Sequence, residues 1–205
     1  MKCSITIALL LWSIIVGSQA SADWVLSDAG TSLHFISTKN QNIAEVHDIR
    51  DLKGELLSDG SFNITLDTRS VNTGIQIRDE RMASLLFESG LYPFITISGK
   101  VDYFSADDMK AGVIRTAPFD VDLTIDMHGI SQTQKASMLV YKVDEKTLGV
   151  SLHKPIIIKA GDFQMDTGIE RLRKIAGLDN INYSVPVTGH FVFNKVDKKL
   201  KSPTK

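Results

Sequence analysis

Alternation with a period of two constrains this chain more than any other feature. Phe62, Ile64 and Leu66 alternate with Asn63, Thr65 and Asp67. Ile95, Ile97, Val101 and Tyr103 share one face across Gly99, opposite Thr96, Ser98, Lys100 and Asp102. Phe119, Val121, Leu123, Ile125 and Met127 alternate with Asp120, Asp122, Thr124, Asp126 and His128. Tyr183, Val185, Val187, Phe191 and Phe193 do the same through Gly189, against Ser184, Pro186, Thr188, His190 and Asn194. Successive side chains of a strand point to opposite faces. Each run is therefore a strand with one apolar and one wet face. That is the signature of antiparallel sheets, because parallel strands are usually covered on both sides. Weaker runs at 33–38, 43–49, 52–57, 137–143 and 148–152 add strands, with turn signals at Asp28-Ala29-Gly30, Ser58-Asp59-Gly60 and Asp144-Glu145-Lys146 between many of them.

About eight to ten strands of this kind need protected edges, so the sheet closes into a barrel or stacks as a sandwich. The pattern favours an all-β antiparallel barrel, with the sandwich as the alternative. Closure at about eight strands leaves an interior that holds side chains or one small ligand. Alternation alone does not separate a filled barrel from a hollow one.

Two segments break the period. Residues 75–87 read as a short helix, with Arg78, Met82 and Leu85 or Leu86 on one face and Asn72 or Thr73 as its cap. Residues 167–177 read as a second helix. Thr167 to Glu170 fits a capping box, Leu172, Ile175 and Ala176 give an apolar side, and Gly177 suits the position after the last turn.

The N-terminus reads as a secretory signal, residues 1–22. Lys2 is the basic start, 5–16 the apolar stretch, and Ala20-Ser21-Ala22 the small-residue cleavage site before Asp23. The expected location is the periplasm. Cys3 is the only cysteine and leaves with the signal, so the mature chain has neither disulfide nor thiolate chemistry. The barrel domain is expected over 23–195, followed by a basic flexible tail, 196–205. Without Lys2 the 23 basic residues become 22 against 24 acidic ones, a net charge of −2. Nucleic acid, which needs a strongly basic surface, is not the expected partner.

The block from Ser70-Val71-Asn72-Thr73 through Ile77-Arg78-Asp79-Glu80-Arg81-Met82 and Leu86-Phe87 to Tyr92-Pro93-Phe94-Ile95-Thr96 resembles the YceI-like family of exported bacterial proteins. Phe35, Glu45, His47 and Gly54 stand where that family has its first hairpin. Leu123-Thr124-Ile125 with Gly129-Ile130, and Asp162-Phe163, resemble its later motifs. Arg81-Met82 replaces a usual His or Lys, and 169–177 is a clearer helix than the family normally has. The resemblance implies a lipocalin-like, antiparallel eight-stranded β-barrel with one or two short helices at its mouth. It also implies a bound polyisoprenoid, quinone or fatty-acyl lipid in place of any other cofactor.

On that reading the binding residues are Phe35, Phe62, Ile64, Leu66, Met82, Leu85, Leu86, Ile95, Ile97, Val121, Leu123, Ile125, Val185, Val187 and Phe191, with Arg78 and Arg81 near the mouth. Burying a lipid tail there yields several kcal/mol, at ~0.8 kcal/mol per CH₂. An arginine fork suits phosphate or carboxylate oxygens. Alternatively Arg78 pairs with Asp79, Glu80 or Glu45 and staples the helix to the barrel. The five histidines form no close ligand pair. No nucleophile elbow, P-loop or dinucleotide fingerprint is present. The expected protein is a monomeric or dimeric carrier or store of a long-chain amphiphilic lipid, with transient membrane contact and no catalytic residues. The rival readings are an enzyme using a buried polar cluster around His34 or His47, and a filled barrel docking partners through Leu85, Leu86, Phe87 or Ile169.

Overall fold

The computed structural model describes residues 23–101, 110–112 and 118–196. The signal segment, Tyr103, the Asp107-Asp108 pair and most of the basic tail lie outside the described residues. Among the described residues, twelve strand segments form a single antiparallel sheet. They are β1 (Trp24–Leu26), β2 (Ser32–Lys39), β3 (Ile43–Ile49), β4 (Leu52–Leu56), β5 (Ser61–Asp67), β6 (Val71–Asn72), β7 (Phe94–Lys100), β8 (Phe119–Met127), β9 (Ile130–Lys142), β10 (Thr147–Leu152), β11 (Ile156–Lys159) and β12 (Ser184–Lys195).

The register reduces these segments to eight barrel strands. β1 and β2 both pair one edge of β12, at 193–195 and 187–190, so they form one interrupted strand. β10 and β11 likewise share the other edge of β12. β3 and β4 continue each other along that first strand, pairing β2 and β1. β5 and β6 continue in turn, against β4 and β3. β7, β8 and β9 complete the up-and-down order. Pairing of Trp24 with Lys195 and of Leu26 with Phe193 closes the ring. Closure removes the open edges that a sandwich would keep, so the sandwich alternative is set aside.

Local sequence explains most of these elements. His128 and Gly129, both with positive φ, make the two-residue turn between β8 and β9 that suits twisted antiparallel strands. That hairpin corrects one boundary: the run expected over 137–143 begins at Ile130. Its first half carries Gln132 and Gln134 on the inward phase, so polar residues there hide the alternation. β1, β6 and β11 carry no period-two signal of their own. Ile156, Ile157 and Ile158 are uniformly apolar, and the first two barrel-end segments are only two or three residues long.

Two helices cap one end. α1 (Gln76–Arg81) runs straight into a π-type turn, Met82–Leu86. Its cap is Ile75, not Asn72 or Thr73, and no side chain caps it. Instead Asp79 reaches back to accept the Thr73 N–H at 2.8 Å. α2 (Asp166–Ala176) starts after Met165, again without a side-chain cap. The expected capping box is absent, because the helix already begins at Asp166 and leaves Thr167 inside its first turn; Glu170 instead accepts from Arg173 at 2.9 Å and Tyr183 at 2.7 Å. Gly177 does end the helix in the left-handed conformation, φ 63°. α2 presses onto the π-type turn at Gly168. A Cβ there would lie 2.7 Å from the Leu85 carbonyl oxygen and 2.9 Å from the Leu86 Cα. The lack of a side chain sets how closely the two caps meet.

Candidate functional site

The inward face of the barrel encloses a cavity. Its volume is about 190 Å³. Among the described residues, the twenty-nine that line it are all apolar. They come from every barrel strand and from the caps, where Leu86, Phe87, Ala160, Met165 and Ile169 form the roof. An empty apolar space of this size forfeits dispersion contacts along its whole wall, and an apolar occupant restores them.

Twelve of the expected site residues lie on this wall: Phe35, Phe62, Ile64, Leu66, Leu86, Ile95, Ile97, Leu123, Ile125, Val185, Val187 and Phe191. Five do not. Val121 is buried but packs into the solid part of the core. Met82 is buried beneath the caps, and Leu85 is half-buried outside the cavity. Arg78 is turned to the polar side of α1. Its Nη1 donates to Glu45 Oε2 at 2.9 Å, and its Nε and Nη2 donate to Thr73 Oγ1 and O at 2.7 and 2.8 Å. It staples α1 to β3. Arg81, half-buried on the same helix, is also off the wall. Phe87 and Ile169, expected as part of an exposed docking patch, are buried instead.

Sequence reasoning overlooked several wall residues, for two reasons. Leu33, Ile49, Val140, Val150 and Phe193 share the inward phase of their strands, so alternation alone could have supplied them. Ala160, Met165 and Ile169 reach the wall only because the second cap folds over the barrel end, and nothing in their spacing announces that.

Polar groups gather just beyond the wall, where β2 and β3 meet α1. Glu45 accepts from Lys39 Nζ at 2.8 Å as well as from Arg78. The Lys39 contact, helped by Arg78, holds the Glu45 carboxyl below its ordinary value. His47 is only 3% exposed. Its Nε2 lies 2.8 Å from Ser37 Oγ, and its ring lies 5.2 Å from that of Phe35. Burial first, and the Arg78 guanidinium second, hold its pKa below the usual 6.5. An unfolded chain would therefore bind more protons than the folded one below about pH 6.5. His47 contributes stability that is complete above that pH and is lost as pH falls toward its folded value. The slope is at most ~1.4 kcal/mol per pH unit. Denaturant midpoints from pH 7.5 to 5 should fall more steeply for the wild type than for His47→Phe. Parallel curves would show that His47 is not held neutral by the fold.

At the far side of the caps, His128 Nδ1 lies 3.2 Å from the Phe163 carbonyl oxygen, and its Nε2 lies 3.2 Å from Glu88. Its ring packs on Tyr92 at 4.5 Å. This cluster ties the β8–β9 turn to both caps. Among the described residues, no three His, Cys, Asp or Glu side chains come together as a metal site, and no helix is long and apolar enough to cross a membrane.

A sequence model of the YceI-like domain matches residues 24–193, nearly the whole barrel. A polyisoprenoid-binding domain from Saccharophagus degradans, implicated in plant cell wall breakdown, superposes with a TM-score of 0.82 at 30% identity. The match covers 86% of this chain and all of that one. BcnA from Burkholderia cenocepacia matches at 0.63 with 16% identity, over 82% of this chain and 98% of its own. A YCEI protein from Campylobacter jejuni matches at 0.54 with 18% identity, over 74% and 85%. The last two likenesses speak to the fold alone. No curated protein matches by sequence. With its closed eight-stranded barrel and a family match along almost its full length, the chain belongs to the YceI-like domain family.

Proposed function

We propose that this protein binds a long-chain amphiphilic lipid of the isoprenoid or quinone type inside its barrel, and stores or carries it in the periplasm without altering it. The observation that supports the reading is the cavity wall: twenty-nine described residues, all apolar. Such a wall selects by apolar area and shape. The Saccharophagus degradans relative, a polyisoprenoid-binding domain, points to the same ligand class. The signal-like residues 1–22 support the location. A tail placing about ten carbons in the cavity gains ~8 kcal/mol before ordering costs. An enzyme acting on the same lipid would need an acid, base or nucleophile in the wall, and the described wall residues supply none. Native mass spectrometry of protein prepared without detergent should show one added mass, released by organic solvent as a lipid. Repeated preparations with no adduct, and no uptake of added isoprenoid lipid, would overturn the reading.

A further inference from the structure

Two glycines interrupt the inward apolar phase of the barrel, Gly99 on β7 and Gly189 on β12. Neither has a positive φ, so the backbone at both positions accepts any L residue. What each glycine makes room for is a phenyl ring. A Cβ at Gly189 would lie 2.7 Å from Phe191 Cζ and 2.9 Å from its Cε2, while the Ser32 carbonyl oxygen stands off at an ordinary 3.5 Å. A Cβ at Gly99 would lie 2.7 Å from Phe62 Cζ, and 3.0 Å from both Phe62 Cε1 and the Asp122 carbonyl oxygen. Phe62 pairs with Gly99 across the ladder. Phe191 stands two residues beyond Gly189 on the same strand and the same face. Each ring leans over its glycine and covers the backbone that a missing side chain leaves bare.

Both rings line the cavity. Both also stand on the half of its wall away from the caps. Phe62 and Gly99 meet near the end of β7, whose first residue, Phe94, follows the first cap. Phe191 lies past the middle of β12, whose start pairs with Lys159 just before the second cap. A Cβ at either glycine must displace the ring. The strands around it are closely packed, so the open direction is the cavity, and the displaced ring would cross the path of a chain. Gly149 on β10 gives the contrast. It pairs with Tyr141 on β9, and a Cβ there would overlap the Tyr141 ring. Its neighbour Val150 lines the cavity, so Gly149 faces the outer side of the barrel. A ring displaced there swings away from the cavity.

We infer that Gly99 and Gly189 set the length of lipid tail this protein accepts, by letting Phe62 and Phe191 lie back against the wall so that a chain passes into the half of the cavity away from the caps. They are positioning residues that act through the two rings. The ligand they favour is one whose tail reaches beyond the cap-side half. This inference rests on the lipid-binding reading and adds the determinants of tail length.

The test titrates the whole protein with geraniol and with geranylgeraniol, the same alcohol with a tail twice as long. Wild-type protein should bind geranylgeraniol roughly tenfold or more tightly than geraniol, the return on about two further buried CH₂ groups. Gly189→Ala should bring geranylgeraniol down to the affinity of geraniol and leave geraniol unchanged, and Gly99→Ala should do the same. Adding Phe191→Leu to Gly189→Ala should restore the preference for the long tail, because leucine lacks the ring atoms that meet the new methyl. Gly149→Ala should change neither affinity. Thermal unfolding checks that each variant is folded. A second readout needs no variant: in wild-type protein with ¹³C-labelled phenylalanine, the Phe62 and Phe191 rings should show nuclear Overhauser contacts to the geranylgeraniol tail, and these contacts decide the matter should Gly189→Ala fail to fold. Equal wild-type affinity for the two alcohols, equal losses for both in Gly189→Ala, no rescue by Phe191→Leu, the same loss in Gly149→Ala, or no contact between the rings and the tail overturns the inference while leaving lipid binding intact. Failure of both alcohols to bind the wild type overturns the lipid-binding reading itself.

Discussion

Leu123→Trp is expected to abolish lipid binding while leaving the barrel folded. Leu123 stands in the middle of β8, paired with Gly99 on β7 and Gln134 on β9, and its side chain lines the cavity. An indole there would project into a space of about 190 Å³ that is already open. The ring meets little packed matter, so the overpacking penalty should fall at the low end of the usual ~1–3 kcal/mol. The tail, in contrast, loses its path. Displacing even half of a ten-carbon segment forfeits ~4 kcal/mol, roughly a thousandfold in affinity. Titration with an isoprenoid lipid reads the affinity, and thermal unfolding reads the fold. Retained binding would mean that the ligand does not pass through the barrel. Val121, two residues earlier on the same phase, makes the control. It is buried in solid core and off the cavity wall, so Val121→Trp should cost stability first.

Phe163→Ala should be the most destabilising truncation in the molecule, by ~3–5 kcal/mol. Phe163 is completely enclosed and lies outside the cavity, at the end of the short helical turn Ala160–Phe163 that launches α2. Its removal leaves a void among side chains that are otherwise in contact, so both transfer and cavity terms apply. Its backbone oxygen also meets His128. A loosened turn would weaken that tie between the β8–β9 hairpin and the cap. The melting temperature should fall by about 10 °C or more for a domain of this size. A wall residue such as Ile97 should lose less on truncation to Ala, because one side of it has no packed neighbours to lose. Equal losses at both positions would argue that the cavity is filled in solution.

How far the sequence announced this molecule depended on the kind of contact. β8 was legible because it carries an unbroken apolar face against a polar one, and β12 because its apolar face is interrupted only at Gly189. Inward phase then sufficed for most of the wall. It failed for Val121, which has the right phase but sits where the core is solid, and alternation has no term for local density. It failed also for the caps. Met82 and Leu86 share a helix, yet only Leu86 reaches the cavity, because the turn from Met82 to Leu86 is π-type and rotates the face between them. Arg78 left two destinations open, a head group or a carboxylate, and the Glu45 contact decides for the carboxylate. His47 carries no motif that marks it. Its burial against the Phe35 ring is a property of three-dimensional packing alone.

Ring closure by Trp24 and Lys195 has a kinetic consequence. These partners are separated by almost the entire domain, and a loop that long closes late because the chain must first surrender the entropy of everything between. Until the first and last strands meet, the sheet is an open ribbon whose greasy inner face is available to any neighbouring chain. Folding of this protein should therefore be governed by one late zipping event, and the same juncture, where an interrupted strand pairs one edge of β12 in two short stretches, is the natural place for the ring to part again.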